Sequence, residues 1–282
     1  MSNILHKYDS FKEKFSMTII YIFLILYSML SLVPFVWSII SSLKDNDDIL
    51  IHPLALPKIW KINNYPQAWT EALFKIYTVN TALYSIISTA AILLFSAMAA
   101  YIIARIKPNL TLYMYFTFGI MIPIHTILLP TFLMLRALHL FNTRLGLILV
   151  YIAFNLSISI FILVGFMKGL PKELEEAALI DGCSRVRTFF EIIFPLSKPG
   201  LATIGILAFL NTWNEFLIPL IMIQERYLRV ITQGIRDLRE QYGQDYGLVN
   251  AGIVISFIPV VIIYILFQEQ VIAGMTAGAI KG

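Results

Sequence analysis

A ten-residue stretch, ELEEAALIDG at residues 173–182, is followed at residues 192–195 by the sequence IIFP. The segments on either side are strongly apolar. Acidic residues suit the first turn of a helix because the N-terminal end of a helix carries a partial positive charge. Gly182 can adopt backbone angles that other residues reach only with strain, so it favours a turn at the end of this helix. The stretch therefore predicts a short helix that ends at a sharp turn.

A second short helix is predicted after the turn, from Ser184 to Ile193. Its apolar face would consist of Phe189, Phe190, Ile192 and Ile193. Pro195 and Pro199 are expected to end it before the next apolar segment, since proline lacks a backbone N–H. The two helices would form a helix–turn–helix on a membrane surface. The residues alone leave two interpretations open: an interfacial element that packs beneath a bundle, or an amphipathic element that docks into a groove of another protein.

The composition of the chain predicts a membrane protein. Of its 282 residues, 59% are hydrophobic and 13% are charged, whereas soluble domains carry about 25% charged residues. The net charge of +4 is spread over the segments between apolar runs, which suits lipid head groups better than nucleic acid. Cys183 is the single cysteine, so an internal disulfide is excluded.

Six apolar segments reach the roughly 20 residues that a helix needs to cross a bilayer. The predicted spans are residues 17–42, 78–104, 111–135, 145–167, 201–223 and 248–268. Each is expected to be helical, because lipid satisfies no backbone hydrogen bonds. The first is too long for a signal peptide and lacks an obvious small-residue cleavage site, so it is interpreted as a retained span. The predicted fold class is an all-α integral membrane protein with six transmembrane helices.

The whole chain, residues 1–282, is predicted to form one transmembrane domain. Residues 1–77 would supply the N-terminal helix and an outer loop, and residues 78–282 the core, in which residues 168–200 hold the helix–turn–helix. Lys and Arg divide almost equally between the two sides of the membrane, so the positive-inside rule decides little. The basic residues before the first span favour an N-terminus on the inner side.

Polar residues near the end of the fifth predicted span are candidates for a site within the membrane. A carboxylate such as that of Glu215 costs about 2.5–3.5 kcal/mol at the bilayer centre on insertion scales, so it should face protein or water. Asn211 lies four residues earlier, on the same helical face, and Asn214 is adjacent to Glu215. These groups would either line a polar path or brace neighbouring helices. Trp213 would either stack on a substrate ring or serve as a packing residue.

Catalytic functions find no support in the sequence. The chain has no G-x-x-x-x-G-K-[ST] loop that would bind a nucleotide. Its four histidines do not cluster in sequence, so no metal site is expected. Two rival classes stay open: a stand-alone secondary carrier, which needs ion ligands within the membrane or inverted repeats, and a membrane-embedded enzyme, which needs a catalytic cluster.

Three segments resemble a known family. The pattern E-A-A-x3-G-x9-I-x-x-P is carried by Glu176, Ala177, Ala178, Gly182, Ile192 and Pro195. This spacing resembles the EAA loop of ABC importer membrane subunits, with Phe194 where the family usually has leucine. The segments WNEFLIPL at residues 213–220 and GMTAGAIKG at residues 274–282 resemble those of maltose-type carbohydrate importers. The resemblance covers roughly residues 75–282 and points to the shorter, second permease of such importers.

The resemblance implies the type I ABC importer permease fold with a cytoplasmic EAA coupling helix. The residues that it assigns to ATPase coupling are Glu173, Glu176, Ala177, Ala178, Asp181, Gly182, Ile192 and Pro195. The candidates for the translocation path are Asn211, Trp213, Asn214 and Glu215. It also implies that a sugar-binding protein contacts residues 224–247, where the candidates are Arg236, Tyr242 and Tyr246.

The implied function is one half of the pathway of an ATP-driven sugar importer. The expected cargo is a di- or oligosaccharide, with a monosaccharide or polyol phosphate as the alternative. The chain would bind no cofactor, since ATP and Mg would act on the partner ATPase. The implied partners are a second homologous permease, two ATPase subunits, an extracytoplasmic sugar-binding protein and membrane lipid, without nucleic acid. Because the ATPase is cytoplasmic, the EAA loop and both termini would be cytoplasmic, in a bacterial or archaeal cell membrane.

Overall fold

The computed structural model describes residues 2–279, with side chains described for residues 14–269. Every regular element in this part of the chain is helical, which confirms the all-α prediction. The α-helices are α1 (Ser2–Ser41), α2 (Asn46–Ile51), α3 (Asn64–Thr70), α4 (Phe74–Tyr101), α5 (Leu110–Met121), α6 (Ile124–Ala137), α7 (Arg144–Lys168), α8 (Glu173–Ile180), α9 (Arg185–Thr188), α10 (Phe194–Leu196), α11 (Lys198–Asn214), α12 (Leu217–Met222), α13 (Ile231–Tyr242) and α14 (Tyr246–Ala279). Ile102–Ile106 and Phe189–Ile193 are π-helical, and Arg226–Leu228 is a 3-10 turn. The side chains of the motif at residues 274–282, and the N-terminal basic residues before Lys14, lie outside the described side chains.

The chain divides into two compact units. The first comprises Met1–Glu71 and Leu238–Val254, and the second comprises Ala72–Asp237 and Ile255–Gly282. Residues 43–77 and 224–247, both expected as loops, contain short helices: α2 and α3 in the former, α13 and the 3-10 turn in the latter.

In the first unit, the apolar part of α1 is unpacked, because the membrane-length window of Lys14–Ser41 is 0% buried. The turn after α1 is held by polar contacts instead. The buried amide of Asn64 donates to the carbonyl of Lys44 at 3.1 Å. Gly247 packs against the same carbonyl so closely that a Cβ would stand 2.3 Å from its oxygen. The close approach therefore requires glycine at this position.

In the second unit, α4, α7 and α11 pack against one another, and α5 packs on α7. Small and branched apolar side chains fill the space between them, among them the fully buried Ile92, Leu163 and Ile204. A second apolar cluster surrounds Tyr84 and Tyr151 and includes residues of α12. The functional candidates project from the ends of these two cores.

Four helical segments are long and apolar enough to cross a membrane, and they match four predicted spans. They are Lys14–Ser41, Phe74–Ile106, Arg144–Lys168 and Tyr246–Glu269. Two further candidates are helix pairs bent at short breaks, by 99° between α5 and α6 and by 75° between α10 and α11. The described chain thus has four spans, or six when each bent pair counts as one.

The prediction of one continuous helix over residues 111–135 was wrong. The helix stops at Met121, and Ile122 adopts an extended conformation with φ −80° and ψ 115°. Pro123 follows directly, and a proline disfavours helical angles in the residue before it and supplies no N–H. The apolar run therefore contains a full break between α5 and α6.

The prediction of one continuous helix over residues 201–223 was also wrong. α11 ends at Asn214, Glu215 is extended with φ −66° and ψ 128°, and α12 begins at Leu217. Glu215 thus lies between two helices rather than within a span.

Candidate functional site

The predicted helix–turn–helix is present at residues 173–196. Its first helix, α8, begins with Glu173 and carries two more acids in its first turn, as the helix dipole favours. Ala178 is buried, whereas Ala177, Glu173 and Glu176 are exposed. One alanine therefore fastens the helix to the protein, and the other lies on the accessible face.

The turn after α8 uses the left-handed conformation expected of Gly182, whose φ is +78°. The N–H of Cys183 donates to the carbonyl of Ala178 at 2.9 Å, and that of Gly182 donates to Leu179 at 3.1 Å. These bonds satisfy carbonyls that the helix end would leave unpaired. Asp181, the last residue before the glycine, is exposed.

The second helix starts at Ser184, whose hydroxyl accepts the N–H of Arg187 at 3.3 Å. Phe189 and Ile193 are buried in the core, and the ring of Phe189 lies 5.3 Å from that of Tyr101 in α4. Ile192 and Pro195 are half-buried, while Phe190 is exposed. The expected apolar face is therefore only partly buried.

Pro195 does not end the second helix, contrary to the prediction. A π-helical turn precedes it, helical structure continues to Leu196, and the chain bends at Ser197. The hydroxyl and N–H of Ser197 both donate to the carbonyl of Ile193, at 2.7 and 2.9 Å. These bonds satisfy a helix-end carbonyl beside a proline that offers no donor.

The tip of the helix–turn–helix exposes large apolar side chains. The exposed fractions are 52% for Leu179, 85% for Ile180 and 67% for Val186. The exposed acids Glu173 and Glu176 lie on the same short element. Large exposed apolar side chains beside exposed acids on one short element suit a surface that binds another protein.

Arg105 anchors the element and was missed in the sequence, where it is simply one basic residue of a short loop. Its side chain is only 3% exposed, and Nε forms an ion pair with Glu175. The guanidinium also donates to three carbonyls: Leu170 at 2.8 Å, Pro171 at 2.9 Å and Met167 at 3.3 Å. It thus satisfies the C-terminal end of α7 and holds the first turn of α8 at the same time. Sequence spacing gives no sign of this contact because its partners lie more than 60 residues away.

A cavity of about 330 Å³ opens between α5, α7, α11 and α12. Its polar lining residues are Tyr151, Asn155, Ser157, Asn211, Thr212 and Glu215. The amide of Asn211 donates to Asn155 at 3.3 Å. The buried hydroxyl of Tyr151 has no hydrogen-bond partner among the described residues. Hydroxyls and amides beside apolar walls suit a polar, uncharged ligand.

Glu215 lines the cavity but also caps the next helix. One carboxylate oxygen accepts the N–H groups of Leu217 at 2.9 Å and Ile218 at 3.1 Å. Its backbone carbonyl accepts the hydroxyl of Thr232 at 2.8 Å. The carboxylate is thus bonded within its own chain, as the bracing interpretation requires, and it still reaches the cavity that the path interpretation requires.

Trp213 and Asn214 do not line this cavity. Trp213 is buried, stacks on Phe209 at 5.4 Å and donates its indole N–H to the carbonyl of Ser256 at 3.2 Å. Asn214 is exposed at the end of α11. Only Asn211 and Glu215 of the four path candidates therefore meet in one cavity.

At the other end of α4, residues 226–237 form a charged cluster. Asp237 accepts from Arg229 at 2.6 Å and from Arg236 at 2.8 Å. The hydroxyl of Tyr77 in α4 donates to the same carboxylate at 3.4 Å, and it accepts from Arg226 at the same distance. Arg236 is therefore tied into an internal network, with its side chain 30% exposed.

The two remaining binding-protein candidates, Tyr242 and Tyr246, belong to the other compact unit. Tyr242 is half-buried, and its hydroxyl accepts the side-chain amide of Gln241 at 3.3 Å. Tyr246 is exposed at the start of α14, and its backbone N–H donates to Asn46 at 2.8 Å.

In the part of the chain that the structure describes, no group of three or more His, Cys, Asp or Glu residues could hold a metal ion.

The family described as the binding-protein-dependent transport system inner membrane component matches residues 5–276. A diacetylchitobiose uptake system permease protein of Streptomyces coelicolor is 36% identical over 262 residues, or 92% of this chain and 87% of that protein. A trehalose/maltose transport system permease protein of Thermococcus litoralis is 34% identical, over 92% of this chain and 94% of that protein.

The fold agrees with a solved structure as well. A crystal structure of a bacterial ABC transporter involved in import of the acidic polysaccharide alginate matches with a TM-score of 0.77 and 24% identity, over 88% of this chain and 93% of that chain. Together with the apolar helices and the family match, this makes the chain a non-catalytic permease subunit that belongs to the family of binding-protein-dependent transport system inner membrane components.

Proposed function

We propose that this chain forms one half of the translocation pathway of an ATP-driven sugar importer and couples to a cytoplasmic ATPase through residues 173–196. The observation that carries the proposal is the exposed apolar tip, with Ile180 85% exposed, on an element that Arg105 and Phe189 fasten to the membrane helices. An apolar surface patch that can bind a partner, on an element that is held rigidly to the membrane helices, can receive force from that partner.

In the proposed mechanism, two ATPase subunits bind ATP and Mg and close on each other. The helix–turn–helix of this chain occupies a groove of one ATPase, and that of a second, homologous permease occupies the other. Glu173, Glu176, Ala177 and Asp181 lie on the accessible side. Gly182 shapes the turn, whereas Ala178, Ile192 and Pro195 pack inward to mount it. Closure moves these elements and turns the pathway outward, because ATP binding favours the closed ATPase dimer and coupled sites share that preference.

The cargo is proposed to be a neutral di- or oligosaccharide. Relatives are named for uptake of diacetylchitobiose and of trehalose and maltose, and the cavity offers hydroxyl and amide groups from Ser157, Asn155 and Asn211. No Lys or Arg occurs among the described lining residues, and Glu215 is acidic. A monosaccharide also fits this chemistry. A polyol phosphate fits it less well, because its negative charge would stand near a carboxylate.

Asn211 and Glu215 are proposed as path residues because they share the cavity. Trp213 does not line the cavity; its proposed role is to hold α11 in place, through its packing on Phe209 and its hydrogen bond to Ser256. Asn214, exposed at the helix end, is proposed to lie at its margin.

An extracytoplasmic sugar-binding protein is proposed to dock on residues 224–247, with Arg236, Tyr242 and Tyr246 as contact candidates. Support comes from the 28 residues of α4, about 42 Å at 1.5 Å per residue, which separate residues 226–237 from the helix–turn–helix within the second unit. That distance suits opposite membrane faces.

The helix–turn–helix would then be cytoplasmic, with both termini on the same side in the membrane of a bacterial or archaeal cell. The unburied apolar surface of α1 is available to lipid or to the second permease.

The coupling proposal is tested with Ile180→Asp. Placing a charge at the centre of the apolar tip should reduce co-purification of the ATPase and sugar uptake by roughly tenfold or more, as expected at an interface hot spot. Leu56→Asp is the control, since Leu56 is 68% exposed outside the element. The measurement is ATPase retained on the tagged permease complex, together with ATP-dependent uptake in vesicles. Full retention in Ile180→Asp would contradict the proposal, and uptake by this chain alone without ATP would favour a secondary carrier.

A further inference from the structure

Helix α4 is attached at both ends to functional segments. Near its C-terminal end, Arg105 binds the helix–turn–helix and Tyr101 contacts Phe189 of the same element. Near its N-terminal end, side chains of α4 bind the backbone of residues 227–231. All these residues belong to the second compact unit.

The C-terminal attachment is a buried, multiply bonded arginine. Arg105 lies in the π-helical turn that continues α4, and its guanidinium bonds the carbonyl of Met167 at the end of α7, the carbonyl of Leu170 just beyond it, and Glu175 of α8. An arginine held by a carboxylate and several carbonyls has a fixed orientation, because its planar donors must all stay aligned. A displacement of α8 therefore acts directly on the end of α4.

The N-terminal attachment is equally dense. The buried amide of Asn80 donates to the carbonyls of Tyr227 at 2.7 Å and Arg229 at 3.0 Å. The hydroxyl of Tyr84 donates to the carbonyl of Leu228 at 3.0 Å, and that of Thr81 accepts the N–H of Ile231 at 2.8 Å. Four backbone groups of residues 227–231 are thus bonded to side chains of one helix, so this segment is expected to follow a shift of α4.

The helix between these ends is built to stay straight. The sequence of α4 contains neither proline nor glycine, which are the usual sites of kinks. Among the described spans, α1 and α14 contain prolines, and the two bent pairs contain prolines or glycines. The α-helical part, from Asn80 to Tyr101, measures about 32 Å at 1.5 Å per residue, and the π-helical turn that carries Arg105 follows it.

We propose that α4 is a rigid strut, and that Arg105 and Asn80 are positioning residues that clamp its two ends. Displacement of the helix–turn–helix would move residues 227–231 in the same step, and docking at residues 224–237 would be felt at the helix–turn–helix in return, because coupling between sites is reciprocal. This inference rests on the proposed coupling function. It adds a defined mechanical route between the ATPase side and the binding-protein side.

The test uses the complete complex of both permeases, the ATPase and the binding protein in liposomes. ATP hydrolysis is measured with and without sugar-loaded binding protein. Arg105→Gln and Asn80→Leu should each lower the stimulation by roughly tenfold, within the usual range of coupling between sites. The double variant should lose no more stimulation than the more impaired of the two single variants. A strut that is already released at one end transmits no movement, so releasing the other end adds nothing.

Matched controls separate transmission from general damage. Arg187→Gln removes an exposed ion pair with Glu191 on the same element. Asn250→Leu removes a buried amide that bonds the carbonyl of Tyr246 within its own helix. Both should keep near-normal stimulation. Normal stimulation in Arg105→Gln and Asn80→Leu, or losses that multiply in the double variant, would overturn the strut.

A second variant covers the case in which an end variant fails to assemble. Ala90→Gly with Ala91→Gly loosens the middle of α4 while leaving both clamps intact, and Ala153→Gly in α7 is the control. Reduced stimulation only in the α4 variant is expected, and equal stimulation in both would count against the strut. Failure of the proposed coupling function would give a different result from failure of the strut. In that case the complex with Ile180→Asp would retain the ATPase, or the unmodified complex would show no stimulation.

Discussion

Glu215 is a residue whose role depends on where a helix stops. The sequence predicts a carboxylate inside a span, four residues from Asn211, but α11 ends at Asn214 and the carboxylate accepts two N–H groups of α12. The carboxylate is thereby bonded to the orphan donors of a helix start. The face shared with Asn211 survives, because both residues line one cavity.

Replacing Glu215 separates its capping role from its charge. Glu215→Gln keeps an oxygen that can accept from Leu217 and Ile218, so stability should change little. Glu215→Ala removes the cap and should lower the free energy of unfolding by about 1 kcal/mol. Thermal unfolding of the purified complex measures the effect of losing the helix cap, and sugar uptake measures the effect of losing the charge. Normal stability and uptake in both variants would remove Glu215 from either role.

At the scale of elements, the distance between neighbouring helices distinguishes glycines that the sequence alone does not distinguish. Gly234 of α13 lies against α4 so tightly that a Cβ would stand 2.4 Å from the ring of Tyr77. Gly165 of α7 has no heavy atom within 4 Å of its Cβ position, apart from its own helix and chain neighbours. Two helical glycines that look alike in sequence thus have opposite environments.

Gly234→Ala should therefore destabilise the protein by about 1–3 kcal/mol, because either α13 or the Tyr77 ring must move. Gly165→Ala should be neutral or slightly stabilising, since alanine is the better helix former. Denaturation of the two purified variants in the same detergent gives the comparison. Equal stability of the two variants would mean that α13 is not seated on α4 as described.

The sequence was sufficient for elements that are long and uniform, and insufficient where the chain breaks. Uninterrupted apolar runs predicted both ends of α7 to within one residue and those of α4 to within four, because lipid leaves a helix as the one way to satisfy the backbone. The breaks at Ile122 and Glu215 depend on local backbone geometry that hydropathy does not register. Arg105 escaped notice because its partners come from the end of another helix.

At the scale of the whole molecule, three surfaces with different chemistry lie along one set of packed helices in the second unit. The helix–turn–helix is apolar at its tip, the cavity is polar and uncharged except for Glu215, and residues 226–237 are rich in arginine. The first and third meet α4, whereas the cavity lies between α5, α7, α11 and α12. Substrate contact and force transmission therefore involve different side chains, and they can be altered separately.

Asn211→Leu and Ser157→Ala test that separation. Each removes a polar group from the cavity, so a sugar hydroxyl would lose a partner worth about 0.5–1.5 kcal/mol, or roughly a two- to tenfold change in rate. Sugar uptake should fall by that factor, while stimulation of ATP hydrolysis by the binding protein stays near normal because α4 and its clamps are untouched. Asn250→Leu is the control, since it removes a buried amide that bonds the carbonyl of Tyr246 within its own helix and does not line the cavity. Equal loss of uptake and of stimulation in the cavity variants would show that the cavity serves assembly or movement rather than passage of sugar.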